Sequence, residues 1–344
     1  MAWPRGWHDA LMAQWRRPTP GLGARLLQPL SWLYGLLSGV HATLYRTGLL
    51  KVLPSPRPVI VVGNLVAGGA GKTPAVMSIV RWLRARGHTP GVVSRGHGRS
   101  GADTVLVGPH SRADEVGDEP LLIYRRTGSP VAVGADRAGA ARLLSQHCPQ
   151  MDIVVSDDGL QHHRLGRDIE LLLFDERGAG NGLLLPAGPL RQHLPAEVGE
   201  RRLVLYTHGR QSTPLAGFAG QRRLSGVLPL ADWWADPNSR PMPLSTLVGR
   251  PLLAVAGLAR PEAFFDQLQA AGLTIRRHAL PDHDKLAVLP WGPDDADVVL
   301  TEKDAVKIDP ERVGTTRVWV ATLDFEPEPA FYAALSRLLR PALR

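Results

Sequence analysis

Apolar residues along this chain fall into two kinds of run. Short unbroken runs, rich in β-branched residues, alternate with longer stretches whose apolar positions recur at three- and four-residue spacing. Pro58 to Leu65 is one of the short runs and reads as a buried strand. Val76, Ile79, Val80 and Leu83 then recur at helical spacing and predict a helix over 75–86. Pro74 falls at its start, where a missing N–H costs nothing. Strands are expected at 89–94, 151–155, 169–174 and 203–206, with helices at 117–126 and 137–147. Such βαβ spacing predicts a mainly parallel sheet flanked by helices on both faces. Residues 232–243 are polar and proline-bearing, and read as a linker or excursion. A second α/β series follows, with strands at 252–256, 298–301 and 318–321 and helices at 261–271 and 329–339. The expected organisation is an N-terminal segment 1–50, an α/β domain 51–235 and a smaller α/β lobe 236–344.

The N-terminal segment is patterned differently. It holds Arg5, Arg16, Arg17, Arg25 and Arg46 against one acid, Asp9, and four of the nine tryptophans of the chain: Trp3, Trp7, Trp15 and Trp32. No charge falls between Arg25 and Arg46, and Leu26, Leu27, Leu30, Leu33, Leu37, Val40 and Leu44 occupy that stretch. Its length would just span a bilayer, but Gln28, Pro29, Ser31, Ser38, His41 and Thr43 dilute it. Basic ends and interfacial tryptophans favour a helix lying in the membrane surface over a full span or a buried core helix. A secretory signal does not fit, because no small-residue cleavage site follows.

The strand at 58–65 runs into Ala67, Gly68, Gly69, Ala70, Gly71, Lys72 and Thr73, and then into the predicted helix. Strand, glycine loop, Lys-Thr, helix is a phosphate cradle. Small residues let backbone N–H groups approach phosphates, and the helix N-terminus adds a positive field. Lys72 would reach the β- and γ-phosphates, and the Thr73 hydroxyl would hold Mg²⁺. The fold class is therefore α/β and P-loop NTPase-like. Val66 stands where the usual pattern has its leading glycine. The loop resembles the variant found in partition ATPases and metal-insertion GTPases, although Ala67 stands where those ATPases often carry a signature lysine.

Composition narrows the partners. The chain has 344 residues, 44% hydrophobic, with a net charge of +8 and a pI near 10.1, which suits nucleotide, nucleic acid or an anionic membrane surface. Its single cysteine, Cys148, excludes an intramolecular disulfide. No Cys/His cluster has zinc spacing.

Further constellations bear chemistry. Asp157 and Asp158 fall just past the carboxyl end of a predicted strand, where open α/β sheets bind ligands and where an acid beside a P-loop organises Mg²⁺. A solvated Asp-Asp-Gly turn is the plainer alternative. Gln161 and His162 follow closely. Asp118 opens a predicted helix, where an N-terminal acid is unremarkable. Asp282, His283 and Asp284 cluster in a later loop; an Asp–His pair is one way to supply a base to a hydroxyl. Arg95, Arg99 and Arg137 follow strand-like runs and offer guanidinium forks for phosphate. Residues 180–191 form an uncharged glycine- and proline-punctuated loop that ends in Arg191 and could line an acyl-bearing site. Thr301, Glu302, Lys303 and Asp304 miss the register of guanine recognition, which counts against a GTPase.

Taken in order, "VVGNLVAGGAGKTP", "VVSRGHGR", "VGDEP", "VGADR", "SDDGLQHHRL", "GNGLLLPAGPLR", "AGLARPEAFF", "PDHDKL" and "TEKDAVK" give a pattern covering nearly the whole chain. That pattern resembles the tetraacyldisaccharide 4′-kinase (lipid A 4′-kinase) family. The resemblance implies ATP- and Mg²⁺-dependent phosphorylation of the 4′-hydroxyl of an acylated glucosamine disaccharide 1-phosphate. It implies a peripheral or monotopic enzyme on the cytoplasmic face of the Gram-negative inner membrane, with no nucleic acid and no obligate protein partner. By motif, Asp118 and His283 match the family's Asp–His dyad, Lys72 and Thr73 its phosphate and Mg²⁺ residues, and Asp157 and Asp158 its acidic pair. Asn64, Arg95, Arg137, Gln161, His162 and Arg191 fall at substrate positions. The chain departs from the family pattern at Gln192, where Glu is common, at Asp284, where a second His is common, and at His97, often Tyr. A partition-type or switch ATPase and a nucleic-acid ATPase are the competing readings; the first rests on the variant loop and the second on charge alone.

Overall fold

The computed structural model describes residues 11–69, 71–237 and 239–343. Trp3, Arg5, Trp7, Asp9 and the cradle residue Ala70 lie outside the described residues. Helix α1 (Leu22–Arg46) leads to β1 (Val59–Gly63) and α2 (Lys72–Arg84). Next come β2 (Pro90–Ser94), β3 (Val105–Val107), α3 (Asp118–Thr127), β4 (Val131–Val133), α4 (Arg137–His147) and β5 (Ile153–Asp157). The middle of the chain gives β6 (Ile169–Phe174), β7 (Arg202–Tyr206), β8 (Phe218–Pro229) and α5 (Leu230–Ala235). It ends with β9 (Leu252–Ala256), α6 (Pro261–Ala270), β10 (Ile275–Ala279), β11 (Asp297–Thr301), α7 (Glu302–Ala305), β12 (Arg317–Pro327) and α8 (Pro329–Ala342). The fold is mixed α/β with mostly parallel strands, as expected.

The chain forms two compact units that interleave: residues 1–72, 155–221 and 326–344 in the first, residues 73–154 and 222–325 in the second. The sequence reading drew consecutive segments instead. Strands β5, β8 and β12 each pass from one unit into the other, which is why the boundaries follow no linker.

In the first unit β6 lies parallel between β1 and β7, with Ile60 opposite Ile169 and Leu173 opposite Leu205; β8 begins parallel to β7. Every residue of β1 is buried, as expected for a parallel strand covered on both faces. In the second unit β10, β9, β11 and β12 run parallel in that order, and β4 pairs parallel with β2 and antiparallel with β3. Helix α6 contributes Phe264, Phe265 and Leu268 to a core with Leu252, Ala254 and Val299. Four strands escaped the sequence reading. β3 and β4 have three residues each, β10 carries the adjacent Arg276 and Arg277, and β8 is broken by the polar run Gln221, Arg222 and Arg223. The stretch read as a linker starts within helix α5, where buried Trp233 donates to Glu302 Oε1 at 3.1 Å and Trp234 to the Ala305 carbonyl at 3.2 Å.

Helix α1 is two-faced. One side docks on the 180–191 loop. The Ser31 hydroxyl donates to the Leu184 carbonyl at 2.8 Å and accepts from the Ala187 N–H at 2.9 Å. At Gly35 an added Cβ would meet Leu184 Cδ1 at 2.7 Å, so the helix approaches the loop closely here and a side chain would have to displace the Leu184 methyl. The other side exposes Leu22, Leu26, Leu30, Trp32, Leu33, Leu36, Leu37 and Val40. Among the described residues no helix is long and apolar enough to cross a membrane. Replacing Ser31 with Ala adds no volume but strips the Leu184 carbonyl and Ala187 N–H of their buried partner. Ser31→Ala should cost about 1–3 kcal/mol, read as a lower midpoint in urea unfolding; an unchanged midpoint would mean that α1 is not held through this contact.

Candidate active site

The first unit builds the cradle from loops at the carboxyl ends of β1, β5 and β6, the edge where parallel sheets bind ligands. Gly68 and Gly71 adopt φ of +92° and +77°, which a side chain resists. Asn64 is fully buried just after β1, and its Nδ2 donates to the Gly68 carbonyl at 2.9 Å. Lys72 Nζ donates to Asn64 Oδ1 at 3.4 Å and stands 3.5 Å from Asp158 Oδ1. Arg191 Nη1 donates to both Asp158 oxygens, at 3.1 and 3.2 Å, and to Gln161 Oε1 at 3.3 Å. Gln161 donates in turn to the Asn64 carbonyl at 3.4 Å. Asn64, Lys72, Asp158, Gln161 and Arg191 are thus brought together. Ala67 is fixed by donating its N–H to the Pro189 carbonyl at 2.7 Å. Asp157, 1% exposed, ends β5, and Thr73, 9% exposed, is the second residue of α2. His162 lies in the same loop as Asp158, and its carbonyl accepts from Arg167 Nη2 at 2.6 Å.

Sequence reasoning missed one cradle residue. Arg177 Nη2 donates to the Gly69 carbonyl at 2.9 Å, while its Nε is held by Asp175, buried just past β6. An acid and an arginine immediately after a buried strand were the available signal.

The second unit brings Asp118 and His283 together across 165 residues of sequence: His283 Nδ1 lies 2.9 Å from Asp118 Oδ2. Asp118 is buried as the first residue of α3, and its Oδ1 accepts from the Glu119 N–H at 3.0 Å. Gly117 and Gly96 make this possible by packing backbone on backbone; an added Cβ at Gly117 would meet Gly96 Cα at 3.0 Å. The "RGHG" loop is thereby held at the start of α3, and His97 packs edge-on to His283 with ring centroids 5.3 Å apart. The other ring nitrogen, His283 Nε2, lies 3.2 Å from Lys303 Nζ. Arg95 is exposed just after β2. Arg137 is buried at the start of α4, where Nη1 donates to the carbonyls of Gly134 and Ala135, each at 3.2 Å.

The electrostatics of the pair are reciprocal. The hydrogen bond to Asp118 raises His283 above the usual imidazole range, against burial and the Lys303 charge. Burial pushes Asp118 up, but the bond to His283 and the charges of Lys303, His283 and Lys307 outweigh it and hold the carboxyl below its usual range. An ionised Asp118 accepts Nδ1–H, which leaves the Nε2 lone pair of a neutral imidazole as the basic site.

A family model described as tetraacyldisaccharide-1-P 4′-kinase matches residues 23–340. The chain belongs to this family. A relative from Methylibium petroleiphilum, named tetraacyldisaccharide 4′-kinase, is 50% identical over 336 residues, 96% of this chain and 93% of the relative. One of the same name from Leptothrix cholodnii is 45% identical over 344 residues, covering 99% and 96%. The fold is similar to that of LpxK from Aquifex aeolicus, solved in complex with ATP, with a TM-score of 0.78 and 26% identity over 94% of this chain and all of that one.

The sign of the pH effect follows from the two shifts. The raised His283 contributes stability that is complete below its unfolded value of 6.5 and lost as pH rises through its folded value. The lowered Asp118 contributes above 3.8 and loses it as pH falls through its folded value. The pair is worth most between 3.8 and 6.5. The stability gap between wild type and Asp118→Asn should therefore narrow from pH 6 to pH 9, measured by urea unfolding. A gap that is flat or widens with pH would show that this bond does not set the titration of His283.

Proposed function

We propose that this chain is the ATP-dependent 4′-kinase of lipid A biosynthesis that its family name describes, phosphorylating the 4′-hydroxyl of a tetraacylated glucosamine disaccharide 1-phosphate. Phosphoryl transfer asks for two services: a cradle that positions and neutralises phosphates, and a base for the attacking hydroxyl. The first unit supplies a cradle, and the second supplies an Asp–His pair. The observation that carries the reading is that pair, because a switch ATPase has no use for a base aimed at a hydroxyl.

The roles follow from the contacts. Backbone N–H groups of Gly68, Gly69 and Gly71 and the N-terminal end of α2 receive the phosphates, with Ala67 anchoring the loop through Pro189. Lys72 clamps the γ-phosphate. Thr73, Asp157 and Asp158 offer hard oxygen donors suited to Mg²⁺. Among the described residues no three His, Cys, Asp or Glu side chains group into a metal site of their own. That donor set agrees with Mg²⁺, which takes one or two carboxylates and completes its shell from phosphates and water. When bound, Mg²⁺ would neutralise charge on the β- and γ-phosphates. Asn64, Gln161, His162 and Arg191 beside the cradle, and Arg95 and Arg137 in the second unit, are assigned to the substrate. His283 takes the hydroxyl proton at Nε2, with Asp118 holding its tautomer.

The exposed apolar side of α1, flanked by Arg25, Arg46 and Lys51, is assigned to the cytoplasmic leaflet of the inner membrane. An acylated substrate reaches the enzyme only at that surface, so the face and the chemistry belong together. Leu33→Glu with Leu37→Glu should weaken flotation with phosphatidylglycerol vesicles several-fold while transfer to substrate in detergent micelles persists; undiminished flotation would move the membrane contact elsewhere.

The central test supplies γ-labelled ATP, Mg²⁺ and the acylated disaccharide 1-phosphate in mixed micelles. Wild type should label the lipid, and Lys72→Ala should lose about 10²–10³-fold in kcat. ATP hydrolysis that depends on Lys72, with no label in lipid, would overturn the kinase reading in favour of a switch ATPase.

A further inference from the structure

The segment "TEKDAVK" (Thr301 to Lys307) belongs neither to the phosphate cradle nor to the Asp118–His283 pair, yet it is built around the base. Helix α7 is pinned from beneath by Asp304, which is fully buried. Asp304 Oδ2 accepts from the Gly257 N–H at 2.9 Å and from the Thr301 hydroxyl at 2.7 Å, and an added Cβ at Gly257 would meet Asp304 Oδ1 at 2.7 Å. Thr301 caps the helix by accepting from the Asp304 N–H at 3.2 Å. Two lysines are aimed from this fixed base. Lys307, 6% exposed, donates to Asp304 Oδ1 at 3.2 Å and stands 4.0 Å from Asp118 Oδ2. Lys303, 17% exposed, donates to Asp282 Oδ1 at 2.8 Å and stands 3.2 Å from His283 Nε2.

With Nδ1–H given to Asp118, Nε2 holds a lone pair, and an ammonium N–H at 3.2 Å fills it. We propose that Lys303 is a positioning residue for the base: it occupies the Nε2 lone pair of His283, keeping the imidazole neutral and aimed until the sugar hydroxyl takes that place. This rests on the kinase reading above. Asp282 gives the displaced ammonium somewhere to stay, since it already accepts from Lys303. In the step that follows, the hydroxyl O–H bond breaks and its proton goes to Nε2. The oxygen bonds to the γ-phosphorus, and the bond to the bridging oxygen breaks to release ADP. Among the described residues, the charges acting on the imidazole are Asp118 from α3, Asp282 from its own loop and Lys303 from α7, with Glu119 and Lys307 acting on those partners and His97 packed edge-on.

The test reads His283 directly. Full-length protein carrying ¹⁵N-histidine is titrated by NMR as wild type, Lys303→Gln and Lys303→Arg, with His283→Gln assigning the resonance. The expected result is a wild-type imidazole protonated at Nδ1, a Lys303→Gln midpoint higher by about one pH unit, and a Lys303→Arg midpoint near wild type. The acid limb of kcat/KM should move upward with the midpoint, so that Lys303→Gln loses about tenfold near pH 6.5 and much less at pH 9. An unmoved midpoint, or a loss of kcat/KM uniform across pH, would overturn the proposal and leave Lys303 a merely structural residue. The two readings fail separately: full transfer by His283→Gln would remove the base assignment, whereas the midpoint in Lys303→Gln judges Lys303 either way.

Discussion

Lys72 is 11% exposed, and an ammonium so far removed from water needs a counter-charge close by. Asp158 is that charge at 3.5 Å, and Arg191 shares it at 3.1 Å. Much of the first unit is arranged to hold this trio still. The Arg191 N–H donates to the Leu65 carbonyl at 2.7 Å, tying it to the strand that enters the glycine loop. Its carbonyl accepts from the Tyr34 hydroxyl of α1 at 2.8 Å. Trp15 donates to the Pro186 carbonyl at 2.9 Å in the same loop. The 180–191 loop therefore has the phosphate cradle on one flank and the apolar helix on the other. That explains why so uncharged a loop ends in an arginine: its body packs under α1, and only its end meets charge.

The elements that could be read in the sequence were those whose local pattern and tertiary fate agree. β1, β6 and β9 are apolar runs because parallel strands are buried on both faces, and the helical spacing of α2 marks Val76, Ile79, Val80 and Leu83, all of them buried. What stayed hidden depended on partners distant in sequence. β10 looks polar because it pairs on one side only, with β9; its Arg277 reaches Glu262 and Asp266 of α6, and its Arg276 reaches Asp295. The interleaved units were equally hidden, because strands cross between them in mid-run and no change of composition marks the crossing.

The site divides in the same way. A strand, a glycine loop and Lys-Thr form one contiguous signal, so the cradle residues stood out, and Asp157 and Asp158 gained weight from it. Asp118 and His283 taken singly are an ordinary helix-start acid and a loop histidine; only the family pattern paired them, and the 2.9 Å contact is how the fold brings that pair together. Lys303 and Lys307 were set aside because their segment fails as a guanine reader. Their spacing of four residues around a buried Asp304 is what aims both at the dyad, and burial is invisible in a sequence.

Backbone conformation joins the two halves of the chemistry. Among the described non-glycine residues, positive φ occurs at Asp158 (49°), His283 (61°) and Leu286 (50°). Asp visits this region through local hydrogen bonds, but an imidazole-bearing residue is costlier there, by on the order of 1 kcal/mol or more. Such strain persists only where the surroundings over-determine the residue. His283 has Asp118 on one ring nitrogen, Lys303 on the other and His97 against its edge, and Asp158 is gripped by Lys72 and Arg191. In both loops electrostatics holds a backbone that sterics would release. The geometry of each half-site is then set by its charges, and removing one charge releases strain as well as breaking a contact.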